Sequence, residues 1–333
     1  MNDHISRCSY WSMGAVVAAA LWCFAAPQAS AQTYPSRTIT LIAPYAAGGD
    51  SDLSGRNLAA AAQKFMGQSL IVQNVVGASG TIGSMRVRTA APDGYTLLIA
   101  RGGSQAITPA LDTKTPYKWN EFTMLSLLEL NPVACVVKGD SPYKTLKDLL
   151  DALKANPGKL NYATAGPGTT QHMAPEVMFR AAGLPSSVAE PIGYKSGGDA
   201  TAALLGGQVQ FLCNNVPTLG SHVKAGTFRA LVASTSERLK EFPDVPTARE
   251  LGYPQMEQVM GWSGLYGPPG LPPEVVNKWV DTFKKLAQDP DWMRGNAAIG
   301  GIAAIRSPAE TEKFAREQYE LYEKIGTALG LRK

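Results

Sequence analysis

Two α/β units facing each other across a cleft, each a mixed and mostly parallel sheet flanked by helices, are what the sequence predicts. Three observations lead there. Strand-like and helix-like segments alternate through most of the chain, the pattern of βαβ units. The alternation runs twice, with a break near Asn131, and in both runs a strand meets a helix through glycine, alanine and serine. The last stretch is helical and long enough to return to the first unit. A chain of 333 residues, 45% hydrophobic and 17% charged, has room for two such domains and an ordinary globular composition.

The elements follow in order. TITLIAPY (38–45) is a nearly continuous apolar run and reads as a strand buried on both faces. DLSGRNLAAAAQKFM (52–66) carries a row of alanines and stops before Gly67, so it reads as a helix. SLIVQNVV (69–76) is rich in β-branched residues and reads as the next strand. TIGSMRVRTA (81–90) is helical, APDG turns, and YTLLIA (95–100) is a third strand. In the second unit PVACVVKG (132–139), LNYATAG (160–166), VQFLCNNVP (209–217) and HVKAGTFRALVAST (222–235) read as strands. Between them, TLKDLLDALKANPG (145–158), MAPEVMFRAAG (173–183) and DATAALLGGQ (199–208) read as helices. Three helical segments make the tail: 272–288, 290–297 and 308–329. The organisation is thus 32–130 with about 255–333 as one lobe and 131–254 as the other.

Residues 1–31 read as a signal peptide. An apolar run ends in Pro27, and Ala29-Ser30-Ala31 suits cleavage before Gln32. The run is shorter than the roughly 20 residues a membrane span needs. Trp22 before Cys23 does not suit lipoprotein processing. Removing residues 1–31 takes away one Arg and one Asp and leaves the charge at +4. That mild charge, with no basic tract or interleaved aromatic stripe, gives no support for nucleic-acid binding. Cys135 and Cys213 are the cysteines that remain. An oxidising compartment permits a disulfide between them, while their strand-like surroundings suit two buried free thiols.

The usual catalytic and cofactor motifs are missing. Gly77, Gly80 and Gly83 space as G-x-x-G-x-x-G rather than the dinucleotide fingerprint, and no phosphate-binding G-x-x-x-x-G-K-[ST] occurs. In GWSGLYG, Gly264 directly follows Ser263, which breaks the G-x-S-x-G elbow. His172 and His222 have no serine placed to use them, and with two cysteines they lack metal-ligand spacing. No cofactor, metal or catalytic residue is therefore expected. The glycine-rich turns fit a small anion better. PYAAGGDSD (44–52), GASG (77–80) and ATAGPGTTQH (163–172) each lead into a helix, where unshielded amides and the helix dipole attract a carboxylate without a lysine.

At these same residues the chain resembles a known family. YPSRTITLIAPYAAGGDSDLSGRNLA, IVQNVVGASGTIGSMRVRTAAPDGYTLLIA, GYKSGGDATAALLGGQVQFLCNNVPT and GTFRALVASTSERLKEFPDVPTARELGYP resemble the Bug family, the extracytoplasmic solute receptors of tripartite tricarboxylate transporters. The likeness runs from Tyr34 to the end. It implies a type II-like periplasmic binding protein that closes like a Venus flytrap on a small carboxylate. Family receptors hold a carboxylate between the two loops matching Tyr45–Asp52 and Gly77–Gly80. That match implies Tyr45, Ala46, Ala47, Gly48, Gly49, Asp50 and Ser51 with Gly77, Ser79, Gly80 and Thr81 as the near half of the site. Thr164, Ala165, Gly166, Thr169, His172, Tyr194 and Asn215 would form the far half. Asp52 matches a family aspartate and reads as a helix N-cap or loop brace.

The chain also departs from the family pattern. Asp50 stands where Pro or Ser is common, Tyr45 where Phe is common, Arg101 where a small or polar residue is common, and Asn214 where an acid is frequent. Arg101 could grip a second carboxylate or pair with Asp50. The resemblance implies a monomeric periplasmic receptor for a dicarboxylate or an aromatic acid such as terephthalate. Tyr45, Trp262 and Tyr266 are candidate ring contacts for such a ligand, with Trp262 better suited to the core. It would hand the ligand to the membrane components of the transporter. A receptor feeding a signalling partner and an exported enzyme on the same fold are the alternatives.

Overall fold

A run such as ITLIA, apolar at every position but one, is satisfied only inside a sheet covered on both faces. In the computed structural model, which describes residues 33–240 and 242–333, it does so as β1 (Ile39–Ala43). β1 lies between β2 (Leu70–Asn74) and β3 (Thr96–Arg101), parallel to both. β10 (Gly261–Gly267) runs antiparallel between β3 and β4 (Thr123–Asn131), and the two-residue β11 (Ile302–Ala303) closes the far edge. The order of this six-stranded sheet is β11-β4-β10-β3-β1-β2. The expected signal peptide and its cleavage point at Ala31 lie outside the described residues.

A second, five-stranded sheet has the order β7-β6-β8-β5-β9. Its strands are β5 (Val133–Lys138), β6 (Leu160–Thr164), β7 (Ala189–Gly193), β8 (Phe211–Asn215) and β9 (Phe228–Ala233). Both sheets are mixed. Antiparallel pairing enters where the chain changes sheet: Pro132 alone separates β4 from β5, and the return runs from β9 to β10. β5 pairs antiparallel with β8, which sets Cys135 opposite Cys213. The two are joined by a disulfide across 78 residues of sequence, so the alternative of free thiols is set aside.

The helical tail returns to the first sheet. Trp279, Phe283 and Leu286 of the helix Pro273–Leu286 pack with Leu41, Leu58 and Leu97. Burying a side chain such as Phe283 or Leu286 contributes about 1.5–3 kcal/mol each. Trp262 and Tyr266 are fully buried in the other large core, which removes both as ring contacts for a ligand.

Four strands and the α-helices Thr108–Leu111 and Val216–Lys224 escaped the sequence reading. Three glycines in GWSGLYG argue against a strand, yet β10 is central; a Cβ on Gly264 would approach the Tyr266 ring at 2.9 Å. Pro191 is tolerated in β7 because that strand is an edge. β4 is apolar without alternation, and β11 is too short to carry a pattern. His222–Lys224, read as strand, closes the helix Val216–Lys224, which has Pro217 in its first turn. The first helix begins two residues before its sequence reading, at Asp50, with Gly49 as N-cap. Asp52 therefore lies inside the first turn and is not the N-cap.

Candidate functional site

Three helix N-termini meet between the two sheets. The helices are Asp50–Met66, Thr170–Ala181 and Gly197–Leu205. The first two begin where a small-residue turn leaves a strand end and the third follows Tyr194-Lys195-Ser196; each presents first-turn amides that its own helix cannot satisfy. Among the described residues, no acceptor meets the N–H groups of Ala47, Asp50, Ser51, Thr170, Gln171 or Gly197. The amides of Gly48, Gly49 and Gly80 are spent inside their turns, on Asp52, Ala46 O and Gly77 O. Tyr45, Asp50, Ser51, Arg101 and Gly103 line a cavity from the side of the six-stranded sheet. Ala165, Thr169, Thr170, Gln171, Gly197 and Asn215 line it from the other side. Its volume is about 20 Å³, room for about one water.

Arg101 and Asp50 occupy the inner end. Arg101 Nη2 lies 3.4 Å from Asp50 Oδ2, and both side chains are buried. Arg101 Nη1 donates to Asn131 Oδ1 at 2.8 Å and to Ser263 Oγ. Ser263 Oγ in turn donates to Glu129 Oε1 at 3.0 Å. Burial pushes the Glu129 carboxyl above the ordinary range, and the nearby Arg101 charge offsets this only in part. From the second sheet, Asn215 Nδ2 reaches Asp50 Oδ2 at 2.8 Å and Gln171 Nε2 reaches it at 3.4 Å. Asn214 holds Gln171 in place by accepting its amide at 2.7 Å and pins the third helix through Gly197 O at 2.9 Å. Of the two readings of Arg101, pairing with Asp50 is the one realised.

The turns are braced by side chains. Asp52 accepts from Gly48 N and Arg56 Nε, each at 3.0 Å. Burial works to raise its pKa, but these hydrogen bonds outweigh it and hold the carboxyl below its usual range. Tyr45 donates to Ser79 O at 2.8 Å. That bond steadies a strained turn, since Ala78 and Ser79 both adopt left-handed backbone angles (φ 46° and 53°). Thr164 accepts from Gly166 N, and Thr169 donates to Gly166 O. The opposing turns touch: a Cβ on Gly166 would meet Ser79 Oγ at 2.6 Å.

The expected residues divide accordingly. Tyr45, Asp50, Ser51, Arg101, Ala165, Thr169 and Asn215 surround the inner cavity, and Ala46, Ala47, Gly48 and Gly49 form the turn beside it. Thr164 and Gly166 shape the opposing turn, and Gly77 and Gly80 the strained one. Ser79, Thr81 and His172 instead line a separate cavity of about 630 Å³. Burial holds the pKa of His172 below the usual imidazole value, with Glu176 opposing. Tyr194 turns away, its hydroxyl on Gln208 at 3.1 Å and its ring against the second sheet's core. Gly103, Thr170, Gln171 and Gly197 were missed. Thr170 and Gln171 carried a signal, being the first two residues of a helix that follows a small-residue turn.

Helix N-termini with unmet amides suit this cleft to an anion, and no group of three or more His, Cys, Asp or Glu side chains able to hold a metal ion occurs among the described residues. The family model for the tripartite tricarboxylate transporter family receptor matches residues 55–331, and the chain belongs to that family, which is one of receptors and not of enzymes. Protein BugT of Bordetella pertussis is 33% identical over 293 residues, 87% of this chain and 89% of that one. The periplasmic binding protein BugD superposes with a TM-score of 0.85 at 30% identity, over 90% of this chain and 100% of that one. MatC of Rhodopseudomonas palustris with bound malate gives 0.83 at 30% identity, over 88% and 100%. The fold is that of a periplasmic binding protein.

Proposed function

We propose that the chain captures a small carboxylate between its two sheets in the periplasm and delivers it, as a monomer, to the membrane components of a tripartite transporter. The observation that carries this reading is the convergence of three helix N-termini, each with amides lacking an acceptor, on one cleft. Each terminus carries about half a positive charge, and together they hold an anion without a lysine. A relative with bound malate supports the class of ligand. The carboxylate is taken on the amides of Ala47, Asp50 and Ser51, with Thr169 and Thr170 opposite.

The lobes are residues 32–130 with about 255–333, and 131–254, hinged at Pro132 and in the return segment. As drawn, the inner cavity admits no ligand of this size, so the lobes open to load and close to hold. Of the two ligand types expected from sequence, the aromatic acid loses its ring partners Trp262 and Tyr266 to the core. The dicarboxylate loses the use of Arg101 to Asp50.

A thermal-shift panel of succinate, citrate, benzoate, terephthalate and nicotinate tests the reading. At about a hundredfold excess over Kd a true ligand stabilises by about 2.7 kcal/mol, or roughly 5 °C in a chain of this size. Shifts confined to neutral or cationic compounds in a parallel panel would sink the carboxylate reading.

A further inference from the structure

We propose that the Asp50 carboxylate is a tethered occupant of the inner anion seat and restricts the cleft to ligands with a single carboxylate. The inference rests on the carboxylate reading above and names its ligand class more narrowly. The donors at the inner end are already spent on this chain's own acid. Asp50 Oδ2 receives Asn215 Nδ2 at 2.8 Å and Gln171 Nε2 at 3.4 Å and faces Arg101 Nη2 at 3.4 Å. Arg101 cannot swing to a ligand, because Asn131 and Ser263 hold its other nitrogen. Asp50, Arg101, Gln171 and Asn215 are 7%, 4%, 4% and 1% exposed, so solvent does not screen the four groups.

A guanidinium, two side-chain amides and three helix N-termini make a seat for an anion. The group seated there comes from the protein. A second carboxylate on a ligand would meet Asp50 as a like charge and find the side-chain donors Arg101, Asn215 and Gln171 already engaged. A neutral or donating group meets no such barrier: Asp50 Oδ1 has no partner, so it can accept from a hydroxyl or an ammonium. Removing the Asp50 charge returns Arg101, Asn215 and Gln171 to a ligand's second carboxylate. Asp50 is thus the specificity-determining residue of the cleft.

Calorimetric titration with matched acids tests this: butyrate against succinate, and benzoate against terephthalate. The proteins are wild type, Asp50→Asn and Asp50→Ser, each unfolded and refolded to strip carried-over ligand. Asp50→Asn keeps the side chain's shape and guards against a variant that fails to fold; a melt by circular dichroism verifies each. Wild type is expected to bind the monocarboxylate of a pair about tenfold or more tighter than the dicarboxylate. Either variant should shift that ratio toward the dicarboxylate by about tenfold or more, and Arg101→Met added to Asp50→Ser should cancel the gain. A wild type that prefers the dicarboxylate, or a ratio unmoved in both folded variants, overturns the role of Asp50 while leaving carboxylate binding intact. Binding of no acid by wild type overturns the carboxylate reading itself, and this inference with it.

Discussion

At the scale of the residue, the centre of the account is a guanidinium with more partners than its sequence position suggests. Arg101 ends β3, and its charge is balanced by Asp50 at 3.4 Å and approached by Glu129 at 4.0 Å. Truncating one member of a buried pair leaves the other uncompensated. Arg101→Met should therefore cost about 3–5 kcal/mol in chemical denaturation, and Asp50→Asn added to it should restore part of that loss. Equal losses in the single and the double variant would contradict the pairing. Glu129 gives a pH-dependent counterpart. Its folded pKa is raised by burial, so the folded chain binds this proton more tightly than the unfolded chain does. The contribution is fully present below the ordinary glutamate value of 4.5 and is lost as pH rises through the folded pKa. Glu129→Gln mimics the protonated form throughout. Denaturation midpoints of wild type and variant should agree near pH 4 and separate toward pH 8, with the variant the more stable. A gap that closes as pH rises would reverse the sign.

At the scale of the element, the site is made by where helices begin. A strand that ends in small residues brings a helix N-terminus to its carboxyl end, and that much was legible: AAGG, GASG and ATAGPG each marked such a junction. The order of most strands and helices was legible too, because periodicity and stop signals agree. The helix Pro308–Leu329 shows this, bounded by the Ser307–Glu310 capping box and by Gly330. What escaped depends on neighbours distant in sequence. β10 has the composition of a turn and is a strand because β3 and β4 flank it. Gln171, Asn131 and Ser263 are ordinary polar residues until the fold aims them at Asp50 and Arg101. The disulfide was open in sequence because strand register decides it, and β5 sets Cys135 against Cys213. Closing a loop of this length restricts the unfolded chain, so Cys135→Ser with Cys213→Ser should lower unfolding free energy by about 2–4 kcal/mol. An unchanged denaturation midpoint would contradict a bond formed in the native protein.

At the scale of the whole molecule, the proposed function requires two sheets that meet and part. Their contact is made by backbone with almost no clearance. A Cβ on Gly198 would sit 2.7 Å from Gly48 O on the opposing turn. Gly198 lies near the start of a helix where alanine is otherwise favoured by up to about 1 kcal/mol. Gly198→Ala should thus act as a wedge, weakening ligand binding about tenfold or more while the melting temperature without ligand is unchanged or raised; unaltered affinity would show that this contact plays no part in closure. The central claim is that the cleft carries a small carboxylate. The most direct measurement is mass spectrometry of the compound released when the purified protein is unfolded, followed by titration of that compound into refolded protein. A carboxylic acid that rebinds at one per chain is the predicted result, and a rebinding compound without a carboxylate would contradict the account.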